Sequence, residues 1–136
     1  MKRVLIVDDS SEIRTLVRLA FSNRYRVQEA SDAFSALAFA RAEKPDVILL
    51  DIVLPGGLSG LGFLKLLQLD PVLQDCPVIM ITGLSQTAEF EEAMANGAIA
   101  YFIKPFSPAD LLDCVDQLLG TGDERGRDCD HQSIRF

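Results

Sequence analysis

The sequence predicts a doubly wound α/β domain on a five-stranded parallel sheet. Three observations carry that prediction. Four short apolar runs rich in β-branched residues end in polar residues, as strands buried on both faces do. Between them lie segments with apolar residues at helical spacing. The two kinds of segment alternate five times within 136 residues, the pattern of a parallel sheet covered by helices.

The first strand is Val4-Leu5-Ile6-Val7, ending at Asp8-Asp9. Ile13, Leu16, Val17 and Ala20 then follow an i, i+3, i+4, i+7 helical period. Tyr25 to Ala30 alternates apolar with polar, which marks an edge strand with one wet face. Ala33, Leu37 and Ala40 give the second helix. Asp46-Val47-Ile48-Leu49-Leu50 is the third strand and ends at Asp51. Leu61, Leu64 and Leu67 give the third helix, and Pro77 to Thr82 the fourth strand. Phe90, Ala93 and Met94 mark a weaker fourth helix that stops near Asn96-Gly97. Ala100-Tyr101-Phe102-Ile103 is the fifth strand. The last helix starts after Ser107-Pro108 and carries Leu111, Leu112, Val115, Leu118 and Leu119. With right-handed crossovers and the alternating strand on the outside, the strand order is 2-1-3-4-5, the flavodoxin-like arrangement. The domain spans residues 1–119. From Gly120 to residue 136 the chain is rich in glycine and charge and loses apolar periodicity, which reads as a flexible tail or the start of a linker.

Composition removes several functions. Thirteen Lys and Arg against twenty Asp and Glu leave a net charge of −7, which opposes electrostatic binding to nucleic acid. No apolar run approaches the ~20 residues of a membrane span. The opening MKRVLIVDDS is no signal peptide. Three cysteines without C-x-x-C spacing fit a reducing, cytoplasmic setting. The single histidine, His131, leaves no histidine metal cluster or Ser-His-Asp triad on the core.

In open parallel sheets ligands bind beyond the carboxyl ends of the strands, where strand order reverses. Here that point lies between the first and third strands, so the topology gathers Asp8, Asp9 and Asp51. Two unit charges 4 Å apart repel by about 4 kcal/mol at an effective dielectric of 20, and the cluster calls for a cation. Oxygen-only donors favour a hard ion, Mg²⁺ first and Mn²⁺ as its substitute. Thr82 and Lys104 end the fourth and fifth strands on the same edge, where a hydroxyl and an ammonium can bind a phosphoryl group. A carboxylate can serve as its nucleophilic acceptor. Each residue alone has a plainer reading. Asp9 with Glu12 could form a capping box, Asp51 before Leu54-Pro55-Gly56 could be a turn residue, Thr82 could open a turn, and Lys104 could be a surface charge. Their order at successive strand ends favours the site.

These motifs together resemble the response-regulator receiver domain of bacterial two-component signalling. The acidic pair follows Val4-Leu5-Ile6-Val7, and the phosphoacceptor strand is Asp46 to Asp51 with Leu54-Pro55. Ile81-Thr82-Gly83 matches the switch threonine segment, and Tyr101-Phe102-Ile103-Lys104-Pro105-Phe106 the aromatic and lysine. The resemblance covers about residues 2–119. It implies that Asp51 accepts a phosphoryl group from a sensor histidine kinase or phosphotransfer protein, and that Asp9 binds Mg²⁺ directly and Asp8 through water. It further implies that the Val53 carbonyl adds a ligand, that Lys104 holds the phosphoryl oxygens, and that Lys104-Pro105 is cis. Thr82 and Tyr101 would carry the switch to the face of the fourth helix, fifth strand and fifth helix, controlling a downstream effector, a fused output domain or homodimer formation. Such a protein is a phosphoacceptor that promotes its own phosphoryl transfer and dephosphorylation, rather than an enzyme with a separate substrate.

One feature departs from the family pattern. The glycine expected eight residues after the phosphoacceptor is displaced: position 59 is Ser59 and the glycine is Gly60, as if one residue were inserted in Gly56-Gly57-Leu58-Ser59. Other readings lack residues. A haloacid-dehalogenase-like phosphatase needs a second carboxylate where Val53 stands. A flavodoxin needs a phosphate loop where the acidic pair stands. The glycine-rich loop lacks the G-K-[ST] of a P-loop. A degenerate receiver acting as a phosphorylation-independent interaction module is the alternative that remains. Val53 and Leu84, two residues after Asp51 and Thr82, are both apolar and cannot orient an attacking water, which predicts a long-lived phosphoryl group.

Overall fold

The computed structural model describes residues 1–83 and 87–120. Leu84 and the segment read above as tail or linker, from residue 121 onward, lie outside the described residues. The elements are β1 (Lys2–Val7), α1 (Ser11–Phe21), β2 (Tyr25–Ala30), α2 (Ala33–Glu43), β3 (Val47–Leu50), α3 (Gly60–Leu69), β4 (Val78–Thr82), α4 (Thr87–Ala95), β5 (Ala100–Ile103) and α5 (Pro108–Leu119). The sheet order is β2-β1-β3-β4-β5, with every neighbouring pair parallel. The alternating strand is indeed at an edge. Among the described residues no helix is long and apolar enough to cross a membrane.

Strand alternation divides the core into two layers. Val4, Ile6, Val47, Leu49, Ile79, Ile81 and Phe102 face α1 and α5, with Val17, Phe21, Leu111 and Val115 against them. Leu5, Val7, Ile48, Leu50, Met80 and Tyr101 face the other way and meet Ala36, Ala40, Phe63, Leu64, Leu67 and Ala93. Strands β1, β3 and β4 are therefore apolar on both faces, and each fully buried aliphatic side chain stabilises the fold by about 1.5–3 kcal/mol.

Three local details differ from the periodic reading. On α1, Leu16 is 40% exposed, and the buried positions are Val17 and Phe21. On α2, Leu37 is only partly buried, and Ala36 joins Ala33 and Ala40 against the sheet. The third strand begins at Val47 because Asp46 is occupied by β1: its amide donates to the Arg3 carbonyl at 2.8 Å, and its Oδ2 accepts from the Arg3 amide at 2.7 Å. At the far end of the sheet, Asp116 of α5 accepts from Tyr25 Oη at 2.6 Å and pairs with Arg24, tying α5 to the head of β2.

Candidate functional site

The carboxyl ends of β1, β3, β4 and β5 converge as the strand order requires. Backbone bonds fix the heights: the Asp8 amide donates to Ala30 O at 3.0 Å, the Asp51 amide to Val7 O at 3.0 Å, and the Lys104 amide to Thr82 O at 2.9 Å. One ligand oxygen from each of Asp8, Asp9 and Asp51 lies within 4.8 Å of the others. Asp8 is completely buried, Asp51 is 5% exposed, and Asp9 is exposed.

Lys104 supplies the counter-charge. Its Nζ donates to Asp51 Oδ2 at 2.9 Å and forms an ion pair with Asp8 Oδ2 at 2.7 Å. Asp8 Oδ2 is fully buried, and the Lys104 ammonium is its charged neighbour. The other oxygens are held: Asp8 Oδ1 accepts from the Ser10 amide at 2.9 Å, and Asp51 Oδ1 from the Val53 amide at 3.2 Å. Burial drives the Asp8 carboxyl above its usual range; Lys104 and the Ser10 amide oppose this, and the Asp51 charge adds to it. Burial also works against the charged form of Lys104, but its bonds to Asp8 and Asp51 prevail and raise its pKa.

In their ionised forms, three carboxylates and one ammonium leave two unmatched negative charges. Charges about 5 Å apart at an effective dielectric of 20 repel by roughly 3 kcal/mol per pair. The all-oxygen donor set, with its three carboxylate oxygens close together, fits a small divalent cation such as Mg²⁺. Such an ion would be held by the three aspartates.

The capping-box reading of Asp9 and Glu12 does not hold. The N-cap of α1 is Ser10, whose Oγ accepts from the Ile13 amide at 3.3 Å, so Asp9 is left to the site. Thr82 is fully buried at the end of β4 and shares a sheet face with Met80. Tyr101 pairs with Met80 across the ladder, lies on that same face, and is also fully buried. It meets Phe90 of α4 edge to face, with centroids 5.4 Å apart. Burial, with the charges of Glu89 and Asp51 behind it, pushes the Tyr101 hydroxyl pKa up. Val53 is 56% exposed at the rim, and the Lys104-Pro105 peptide is cis.

The displaced glycine has a physical role. A Cβ on Gly60 would stand 1.9 Å from the Asp51 carbonyl oxygen, so only glycine lets α3 begin against that peptide. The Gly60 amide donates to Ile52 O at 2.8 Å and closes the loop. Above it the loop turns through Gly56 and Gly57, with φ of 93° and 89°, a region that favours glycine. Periodicity gave no sign of Arg14, whose Nη1 donates to the Asp8 carbonyl at 2.7 Å. The available clue was a pair of cations, Arg14 and Arg18, one turn apart on the first helix.

Residues 4–116 match the family model described as the response regulator receiver domain. The phosphate regulon transcriptional regulatory protein PhoB of Klebsiella pneumoniae is 39% identical over 112 residues, covering 82% of this chain and 48% of PhoB. Protein PilH of Pseudomonas aeruginosa is 36% identical over 120 residues, covering 88% of this chain and 98% of PilH. The chain thus spans about half the length of the PhoB relatives it matches. Among solved structures, the Vibrio cholerae chemotaxis protein CheY4 superposes with a TM-score of 0.80 at 33% identity, over 86% of this chain and 98% of CheY4.

Proposed function

The chain belongs to the response regulator receiver domain family, and on that premise we propose that it is a phosphorylation-dependent switch with Asp51 as phosphoacceptor. The observation that carries this reading is the cluster itself: Asp51 sits beside a buried acidic partner and an exposed one, with the Lys104 ammonium between Asp8 and Asp51. An Asp51 carboxylate oxygen attacks the phosphorus of a phosphohistidine or a small acyl phosphate. The new P–O bond forms as the donor's P–N or P–O bond breaks, and the bonding pair leaves with the donor. In this reading Lys104 and the Thr82 hydroxyl bind phosphoryl oxygens, and Asp8, Asp9, Asp51 and the Val53 carbonyl would hold Mg²⁺ or Mn²⁺. A cation held there would offset the negative charge that otherwise repels the incoming phosphoryl group.

Buried Tyr101 against Phe90 supports the route outward, because a change at Thr82 reaches Tyr101 along one sheet face and then α4. A packed aromatic pair has discrete arrangements and can act as a two-state element. The receiving surface is α4, β5 and α5. Neither α4 nor α5 contains a lysine or arginine; Glu91, Asp110 and Asp113 are exposed there, and Glu92 is paired with Lys65 of α3. A symmetric homodimer through this face would oppose like charges, so the charge pattern favours an effector or fused output domain with a basic surface. PhoB is a transcriptional regulator by name, and control of such an output suits this reading. A histidine kinase or phosphotransfer protein supplies the phosphoryl group, and the setting is cytoplasmic.

Incubation with acetyl phosphate and Mg²⁺ should add one phosphoryl mass to the wild type and none to Asp51→Asn; Asp9→Ala should react at least ~10-fold more slowly. Unchanged labelling of Asp51→Asn refutes the acceptor assignment. Amide shifts on adding beryllofluoride should extend to α4 and β5. Shifts confined to the metal loops would favour the phosphorylation-independent interaction module instead.

A further inference from the structure

The acidic pair is held by more than its own turn. The Arg14 side chain, only 18% exposed, reaches back from α1, and its Nη1 donates to the Asp8 carbonyl at 2.7 Å. Its Nε donates to Glu29 Oε1 on edge strand β2 at 3.1 Å. The other Glu29 oxygen accepts from Arg18 Nε at 3.1 Å. The guanidinium is thus anchored on one edge and applied to one backbone oxygen with the other.

That oxygen belongs to the peptide joining Asp8 to Asp9. A peptide is planar, so fixing the carbonyl fixes the plane from which the Asp9 Cα departs. Asp8 needs little of this help, since its amide is on β2 and its Oδ1 is on the Ser10 amide. Asp9 differs. Among the described residues its side chain forms no hydrogen bond or ion pair, so the backbone sets the point from which its carboxylate reaches.

Resting on the metal-dependent reading above, we propose that Arg14 is a positioning residue. Braced by Glu29, it orients the Asp8–Asp9 peptide and thereby aims the Asp9 carboxylate at the cation. It touches neither metal nor phosphoryl group. Groups that hold a metal ligand in place typically change affinity 10–100-fold when removed, and a partly exposed brace belongs at the lower end of that range.

Mg²⁺ affinity of the full chain, measured by calorimetry well below the melting temperature, tests the proposal without recourse to activity. Arg14→Ala should bind Mg²⁺ about 10-fold more weakly. Arg14→Lys keeps the charge but lacks the planar fork that spans Glu29 and the carbonyl, and should remain at least ~5-fold weak. Arg18→Ala shares the Glu29 anchor but not the carbonyl contact, and should stay within about twofold. In metal-free protein, Arg14→Ala should also speed hydrogen exchange at the Ser10 amide, because the turn that carries this amide onto Asp8 Oδ1 runs through the peptide that Arg14 holds. Wild-type affinity in Arg14→Ala, or full recovery in Arg14→Lys, would overturn the positioning role while leaving the metal reading intact. An unchanged Ser10 exchange rate would overturn it independently of metal. A wild type that binds no Mg²⁺ would overturn both.

Discussion

Lys104 serves two carboxylates with a single ammonium, and that sharing explains how Asp8 is tolerated with no exposed surface. Its own burial is offset by two acidic neighbours, which keep it charged. The acidic residues and the lysine were legible as a set because strand ends are legible: an apolar run that stops at Asp, Thr or Lys places that residue on the sheet edge. Pairings between them were not, since the Lys104–Asp51 contact crosses 53 positions and local spacing carries no record of it. Ser10 displaced Asp9 as the helix cap for a similar reason, because both residue types suit the role and only the path of the chain selects one. At this scale the phosphoryl lifetime is open to test. Val53 stands exposed at the rim with no polar atom on its side chain, and Leu84 contributes another apolar group by sequence. The double change Val53→Asn with Leu84→Glu should hasten loss of the phosphoryl group by about tenfold, less than the roughly 10²–10⁴-fold of a general acid or base because these groups only orient the water, with Mg²⁺ affinity nearly unchanged. Equal decay in a timed phosphoprotein assay would discard the idea.

Among the elements, strands were read more accurately than helix faces. A strand buried on both sides needs only a continuous apolar run, whereas a helix must choose which of its apolar residues faces inward. On α1 the choice is Val17 and Phe21, and Leu16 and Leu19 are left outside at 40% and 67% exposure. Alanines serve on α2 because small side chains let that helix lie close to the sheet. The same helix is tied at its end to the turn after α3: Asp70 Oδ2 accepts from Arg41 Nε and its Oδ1 from the Val72 amide, both at 2.9 Å. The Val72 amide first, and Arg41 second, hold the Asp70 carboxyl below its ordinary pKa. A depressed carboxylate stabilises the fold above its unfolded pKa, about 3.9, and that contribution is lost as pH falls through the lower folded value. Asp70→Asn should therefore lower the melting temperature at pH 7, and the gap from wild type should narrow in strongly acidic solution. A gap constant with pH would show that shape rather than charge matters there.

Taken whole, the molecule keeps its chemistry on one rim and its packing on two layers, so the topology could be derived from alternation and strand order alone. Loop shape could not: glycine spacing alone does not say which residue must approach Asp51, and the contact of Gly60 with that peptide does. Gly60→Ala should destabilise the fold by about 2–4 kcal/mol in urea denaturation, because the clash is with backbone that cannot step aside. A milder loss would mean that α3 can retreat from that peptide. The pinned glycine, with the Val53 amide on Asp51 Oδ1, also makes the outer part of the arch a spacer whose length the Asp51 carboxylate should not sense. Loop closure grows only slowly with length, by about 0.6 kcal/mol per doubling. A run of glycine and serine inserted between Gly56 and Gly57 should thus leave Asp51 as reactive toward acetyl phosphate as before. The arch is then a port for a fluorophore-bearing peptide or a guest domain, mounted within reach of the event it would report.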